Sequence, residues 1–340
     1  MARTRIAIIG LGMASTPHAK SLADLSDQVE VAAAYSPSED RCKAFSERWG
    51  VPAAVNLDAV FDDPSIDAVM VLTPPSSHLE LVARAATAKK HILLEKPLEI
   101  ATDRAVRLVE AAEKTGVKLG IVLQHRFRPV SLALADIIAK ERLGELVGAS
   151  ARLSNWRPQS YYDQPGRGTR ARDGGGVLLT QGIHTLDLLI SFAGMPAEVT
   201  GYAVTSPVHR METEDLAAAA IRFDNGAIGT VSATTCAYPG IPDAIELLGT
   251  KGTARIEGTS LIAQFHDGTE VRQDDGAAGG GAGADPMAFP HDHHRAVLAD
   301  FLDAIEDDRE PGVSGREALK VHRLIDALLR SAETGRREML

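Results

Sequence analysis

The sequence predicts an α/β protein of two domains, the first wound around a parallel sheet and the second built on a largely antiparallel open sheet. Three observations predict it. A chain of 340 residues exceeds what one hydrophobic core usually serves. Up to about Val122, short apolar runs alternate with helix-like stretches, the rhythm of parallel strands joined by crossover helices. Beyond about Gln124, Asp-Asn-Gly and Gly-Thr-Lys-Gly separate strand-like runs instead, and both are hairpin signals.

Taken in order, the strand candidates of the first part are Arg5–Gly10, Glu30–Ala34, Ala68–Leu72, His91–Leu94 and Lys118–Val122. Their valine, isoleucine and leucine suit a sheet covered on both faces. The second part opens with a helix near Pro129–Lys140. The hairpin segments AAAIRFDNGAIGTVSATT and IELLGTKGTARIEG follow, giving a sheet with one face on helices and the other open to a partner copy. Gly276–Ala284 reads as a glycine-rich mobile loop. The tail reads as two helices, about Asp292–Ile305 and Gly315–Glu333, the second with Leu319, Leu324, Ile325 and Leu328 at helical spacing. The domains are expected at 1–123 and 124–340, with the last helices free to pack back on the first.

A formal net charge of -10 argues against a nonspecific nucleic-acid binder, which needs lysine and arginine against phosphates. Cys42 and Cys236 lie far apart and form neither a disulfide framework nor a zinc pattern, so buried, inert thiols in a cytoplasmic protein are expected. The apolar run after the N-terminal arginines is too short for a signal core. No eighteen uncharged apolar residues follow one another, so no membrane span is expected.

Gly10-Leu11-Gly12 directly follows the first strand and opens a helix. Two glycines there allow a sharp turn and bring the backbone of Gly10, Gly12, Met13 and Ala14 close to a pyrophosphate, met by the N–H groups of the helix start. The third motif position is Ser15, small enough for close helix–strand packing. A carboxylate for the adenosine ribose should close the second strand, about twenty residues on. Here that strand ends Ala34-Tyr35-Ser36-Pro37-Ser38. Ser36, Ser38 and Arg41, with Lys43 nearby, could instead receive a 2′-phosphate, which favours NADP over NAD. Ser36 and Ser38 equally suit capping of the next helix. Thr73, Pro74 and His78 are expected to shape the cofactor crevice at the strand ends.

Glu95-Lys96-Pro97 follows a buried strand and precedes a helix, and it resembles the EKP motif of the Gfo/Idh/MocA oxidoreductases. The likeness extends to Gly10-Leu11-Gly12, the Thr73–His78 turn, Arg126-Phe127, Gly174-Gly175-Gly176 and Gly182-Ile183-His184-Thr185-Leu186-Asp187, and so spans essentially the whole chain. The resemblance implies a Rossmann domain, then an α/β domain, and hydride transfer at a carbinol or carbonyl of a sugar, polyol, inositol or related molecule. It makes Lys96 catalytic and places Glu95 and Lys96 at the cofactor. A lysine half buried beside a positively charged nicotinamide gives up its proton more readily and can exchange it with a substrate hydroxyl.

The resemblance makes His184 the second candidate acid or base. If 177–190 is one helix, Thr180, His184 and Asp187 share a face, and Asp187 could orient His184 or stabilise the helix. Many members carry an aspartate four residues before this histidine; Thr180 stands there and can still hydrogen-bond a substrate hydroxyl as a third catalytic candidate, but a relay through that carboxylate is unavailable and the base lies between Lys96 and His184. Arg126 is expected at the substrate. Trp156, Tyr161, Tyr162, Arg167 and Arg170 cluster in a chain poor in aromatics, and Trp156, Tyr162 and Arg167 are the candidate substrate wall, against packing of that loop on its own domain.

His291-Asp292-His293-His294 is read as a helix start capped by Asp292 rather than as metal ligands, since adjacent residues rarely converge on one ion. His294 could still line the pocket. No metal is expected. The cofactor expected is NADP or NAD, and the partners are a small-molecule substrate and further copies of this chain, as a homodimer or homotetramer through the second sheet. Two rival readings stand beside the dehydrogenase: a glycoside-cleaving or eliminating enzyme with tightly held NAD, and a non-catalytic dinucleotide or sugar sensor.

Overall fold

The computed structural model describes residues 3–276 and 290–340, so most of the expected glycine-rich loop lies outside the described residues. The chain divides into two compact units, 1–124 with 291–319 and 125–290 with 320–340.

The first unit runs β1 (Thr4–Ile9), α1 (Ser15–Asp24), β2 (Val29–Tyr35), α2 (Glu39–Trp49), α3 (Leu57–Phe61), β3 (Ala68–Val71), α4 (His78–Thr87), β4 (His91–Glu95), α5 (Thr102–Thr115) and β5 (Leu119–Val122). The strands form a five-stranded sheet in the order β2-β1-β3-β4-β5, every pairing parallel. β3 and β5 are buried along their whole length, as strands with helices on both faces must be. All five expected strands are present, within a residue or so at each end.

The second unit begins with α6 (Pro129–Ala139), β6 (Leu146–Trp156) and four short helices, α7 (Gln159–Tyr162), α8 (Arg170–Asp173), α9 (Val177–Thr180) and α10 (Ile183–Ala193). It continues with β7 (Glu198–Val204), β8 (Leu216–Arg222), β9 (Ile228–Thr234), β10 (Cys236–Gly249), β11 (Gly252–Glu257), β12 (Ser260–Phe265) and β13 (Glu270–Asp274). Both expected hairpins form, β8 with β9 and β10 with β11. The nine-stranded sheet runs β13-β12-β11-β10-β6-β9-β8-β7-β14, with β14 at Glu338–Met339. Only β6 and β9 pair in parallel. Along β8, exposed and covered residues alternate, the signature of a sheet with one face on the core and one in solvent. Helices α6, α9 and α10 pack on the covered face.

Helix α11 (Asp292–Glu306) belongs to the first unit and packs on α1, β4 and β5. Helix α12 (Gly315–Thr334) contributes 315–319 to the first unit and the rest to the second. Its Ser331 hydroxyl accepts the Gly201 N–H of β7 at 3.1 Å. Among the described residues no single helix is long and apolar enough to cross a membrane.

Candidate active site

In the first unit the glycine turn explains itself residue by residue. Gly10 has φ +105, and a Cβ there would lie 2.7 Å from the Leu72 carbonyl carbon, so the protein's own backbone demands glycine. Gly12 is different. Among the described residues, nothing beyond its chain neighbours lies within 4 Å of where its Cβ would sit, and its φ is ordinary. No contact within the fold demands glycine at Gly12, so the space there is open to a ligand or to solvent. Ser15 donates its hydroxyl to the Gly12 carbonyl at 2.7 Å, bracing the turn. Helix α1 follows without a side-chain cap, its Ser15 N–H donated to the Gly12 carbonyl at 3.1 Å, with Ala14 half-buried and Met13 exposed ahead of it.

At the end of β2, Ser38 does cap α2, accepting the Arg41 N–H at 3.4 Å. The Ser36 hydroxyl accepts the Ser38 N–H at 3.3 Å, and the Ser36 N–H points at Cys42 Sγ. Arg41 and Lys43 are exposed, and no carboxylate stands at the strand end. The capping and phosphate readings are therefore compatible.

His78 is fully buried, with Nε2 2.8 Å from the Thr73 carbonyl and Nδ1 3.0 Å from the Pro97 carbonyl, and a neutral ring donates to only one of the two. Burial pushes its pKa below the usual histidine value. It joins the Thr73-Pro74 turn to the cis Lys96–Pro97 turn, so it shapes the crevice from behind rather than meeting a ligand.

Lys96 is half-buried at the end of β4, its N–H donated to Glu95 Oε2 at 3.1 Å. The other Glu95 oxygen lies 2.8 Å from His18 Nε2, on α1. Burial alone would raise the Glu95 carboxyl, but the hydrogen bond and charge of His18 outweigh it and hold the group below the usual range. Glu95 is thus turned inward, a positioning residue for the Lys96 backbone rather than a direct cofactor ligand. His294 of α11 packs edge-on against His18, ring centroids 5.1 Å apart. It is buried at 4% exposure, so it lines no pocket. Asp292 does not cap α11: His291 holds that position without a side-chain cap, and Asp292 pairs with Arg295 at 3.0 Å.

In the second unit the expected single helix over 177–190 is broken. Gly182 N–H reaches back to the Val177 carbonyl at 2.7 Å, and the axis bends by 50° between Arg170–Thr180 and α10. Thr180 therefore stands on α9 while His184 and Asp187 stand on α10, so the three do not share one helix face. Thr180 Oγ1 lies 2.7 Å from the Gly176 carbonyl and also contacts Gln181 Oε1. Gly176 is fixed by contact: a Cβ would lie 1.8 Å from the Glu214 carbonyl oxygen. The buried Glu214 carboxylate accepts the Gly176 and Leu178 N–H groups at 2.9 and 3.1 Å, and burial pushes its pKa up.

Asp187, 1% exposed, accepts a two-pronged hydrogen bond from Arg126, at 2.7 and 2.6 Å. The Arg126 fork expected at the substrate is thus engaged by Asp187. His184, 9% exposed, stacks on His125 with centroids 4.5 Å apart. The sequence reading missed His125, although it adjoins Arg126. Arg128 Nη2 lies 2.5 Å from His125 Nε2, and Asp243 sits 3.7 Å from its Nδ1 and 3.6 Å from Arg128. An arginine can only donate, so His125 Nε2 accepts and its hydrogen sits on Nδ1, toward Asp243.

The aromatic loop packs on its own unit. Tyr162 is buried, its hydroxyl 2.8 Å from Thr235 Oγ1, and burial pushes it up to about 12. It cannot wall a substrate pocket. Arg167 stacks over Tyr161 at 4.6 Å and donates to its hydroxyl at 2.8 Å. Trp156 stays half-buried, edge-on to Tyr238. Cys42 is buried as expected, whereas Cys236 is partly exposed.

Comparison with known proteins identifies the family of both units. Residues 4–122 match the NAD-binding Rossmann fold of the GFO_IDH_MocA oxidoreductase family, and residues 131–255 match a GFO/IDH/MocA C-terminal domain. The chain is 29% identical over 255 residues to myo-inositol 2-dehydrogenase of Thermotoga maritima, covering 73% of each. It is 28% identical over 313 residues to D-xylose 1-dehydrogenase (NADP(+)) 2 of Haloferax volcanii, covering 90% of each. Among solved structures it resembles the WlbA dehydrogenase of Bordetella pertussis in complex with NADH and UDP-GlcNAcA. There the TM-score is 0.85 and the identity 27%, over 100% of this chain and 99% of that one. The chain therefore belongs to the Gfo/Idh/MocA family of oxidoreductases, with the NAD-binding Rossmann fold in its first unit and the family's C-terminal domain in its second.

Proposed function

We propose that the protein is a reversible dehydrogenase that moves a hydride between NADP(H) and a CH–OH group of a sugar, polyol or inositol. The observation that carries the dinucleotide is the open space at Gly12 beside the uncapped start of α1. The preference for NADP rests on Ser36, not a carboxylate, directly following β2 and on exposed Arg41, although Glu39 and Asp40 precede that arginine. The bound nicotinamide supplies the hydride chemistry; the chain's residues bind, orient and move the proton. Lys96 exchanges the substrate hydroxyl proton at Nζ, with Glu95 fixing its backbone, and His184 is the other candidate base. Arg126 acts through Asp187 to hold α10, and Thr180, which faces the Gly176 carbonyl with its hydroxyl, meets a substrate as an acceptor. The polyhydroxylated substrate class is supported by relatives named for myo-inositol and D-xylose.

Fluorescence titration of nucleotide-free protein with NADPH and with NADH tests this reading. Tighter binding of NADPH is expected; tighter NADH would overturn the cofactor preference, and binding of neither would overturn the proposal. Lys96→Ala should lower kcat by about 10²–10⁴-fold with the dinucleotide still bound. Retained turnover would remove Lys96 from the chemistry.

The open face of the second sheet is proposed to bind a second copy of this chain. Tyr202, Leu216, Ile228, Leu248 and Ile262 are exposed on β7, β8, β9, β10 and β12, and the helices occupy the covered face. These side chains share the face with Arg222, Glu246 and Arg255, and a mixed apolar and charged face is one that a self-complementary interface can cover.

A further inference from the structure

We propose that Cys236, His209 and Asp215, with the hydroxyl of Ser206, form a binding site for a zinc-like divalent cation in the second unit. The three ligating side chains offer atoms within 4.8 Å of one another. His209 Nδ1 lies 2.8 Å from Asp215 Oδ2 and 3.8 Å from Cys236 Sγ. Ser206 Oγ lies 2.9 Å from that same Asp215 oxygen and 3.3 Å from Cys236 Sγ. Tetrahedral zinc with bonds of about 2.0–2.3 Å sets its donors about 3.3–3.6 Å apart. These separations bracket that spacing, and the cation needs both contacts of Asp215 Oδ2, to His209 and to Ser206, to open by a few tenths of an ångström.

The cluster resembles a cysteine nucleophile with its base, but the geometry excludes that use. A relay places the nucleophile on one imidazole nitrogen and the carboxylate on the other. Here Cys236 and Asp215 both face Nδ1, while Nε2 lies 2.8 Å from the Arg157 carbonyl. A carbonyl can only accept, so Nε2 carries a hydrogen and Nδ1 is directed at the cluster. A histidine that gives its far N–H to a backbone carbonyl and its near nitrogen to an ion is the usual outer-shell arrangement of a metal site.

The surroundings fit a cation. His209 and Asp215 have no exposed side-chain surface, and the Tyr162 and Trp156 rings lie 4.8 and 6.2 Å from the His209 ring. The Ser206 N–H holds the other Asp215 oxygen at 2.7 Å. Binding as a thiolate releases the Cys236 proton and the proton of the His209–Asp215 contact to solvent. The ligands are separated by 6 and 21 residues, a spacing no short motif shows. Binding would tie the segment between β7 and β8 to the start of β10, and would give the aromatic loop around Trp156 and Tyr162 a structural task.

Cobalt(II) titrated into untagged, chelator-treated full-length protein tests the site. We expect thiolate-to-cobalt charge-transfer absorption with the strong visible bands of a tetrahedral ion, saturating at one equivalent and displaced by zinc. Cys236→Ser should abolish the charge transfer, His209→Gln should weaken binding by about 10-fold or more, and Cys42→Ser should change neither. His18, Glu95 and His294 also converge within 4.8 Å, but they hold no sulfur and cannot produce that band. Absence of the band, or its survival in Cys236→Ser, overturns the proposal. If the serine variant fails to fold, the rate of maleimide modification of Cys236 in the Cys42→Ser protein decides instead. One equivalent of zinc should slow it at least 10-fold, and an unchanged rate overturns the site.

Discussion

Gly10 and Gly12 stand two residues apart in one motif and answer to different forces. Gly10 is demanded by its φ of +105 and by the Leu72 backbone; Gly12 is demanded by nothing in the protein. Gly10→Ala should therefore cost on the order of 2 kcal/mol or more in stability, seen as a lower urea midpoint. Gly12→Val should leave that midpoint within about 0.5 kcal/mol of the parent yet weaken NADPH binding at least 10-fold. If both variants lose stability equally, the space at Gly12 serves the fold and the dinucleotide reading weakens. Lys96 obeys similar logic, since its backbone is fixed by Glu95, and Glu95 by His18. The sequence named the lysine and the glutamate, but His18 lies 77 residues away from Glu95, and only folding brings them together.

Among the elements, α10 and α11 bury groups whose protonation or pairing they must maintain. Asp187 on α10 is nearly inaccessible and bidentate with Arg126. Asp187→Asn leaves the guanidinium facing an amide, and breaking such a pair costs about 3–5 kcal/mol; urea melts should show it. On α11, burial, with the charge of His18 behind it, holds His294 neutral with its pKa near 3 against the usual 6.5. Between those values the unfolded chain takes up a proton that the folded chain refuses. The stabilisation from His294 is thus complete above pH 6.5 and is lost as pH falls toward about 3. Stability measured between pH 6.5 and 4 should fall less steeply in His294→Gln, by about one proton's worth of slope. An identical slope would mean that His294 is not the group responsible.

For the whole molecule, the prediction concerns copies of it. The nine-stranded sheet offers an open face that includes Tyr202, 79% exposed, and Ile228, 64% exposed. Light scattering after size exclusion should give at least twice the mass of the 36.1 kDa chain. Tyr202→Lys with Ile228→Lys should shift it toward the monomer, because charges buried face to face without partners are costly. A monomeric parent would end the proposal.

The sequence by itself determined the two-domain α/β fold, its five parallel strands, its hairpins and its family, because these follow from local apolar period, turn chemistry and short motifs. The hairpin at Asp224-Asn225-Gly226 and the Glu95-Lys96-Pro97 turn needed no partner to be recognised. Only the tertiary structure decided which side chains meet. It broke the helix at Gly182 and moved Thr180 off the face of His184. It gave Arg126 to Asp187, buried Tyr162 against Thr235, and stacked His125 on His184. The break at Gly182 is a local contact with Val177, but the pairings depend on segments far apart in the chain, and the residues of either segment alone do not specify the other's position.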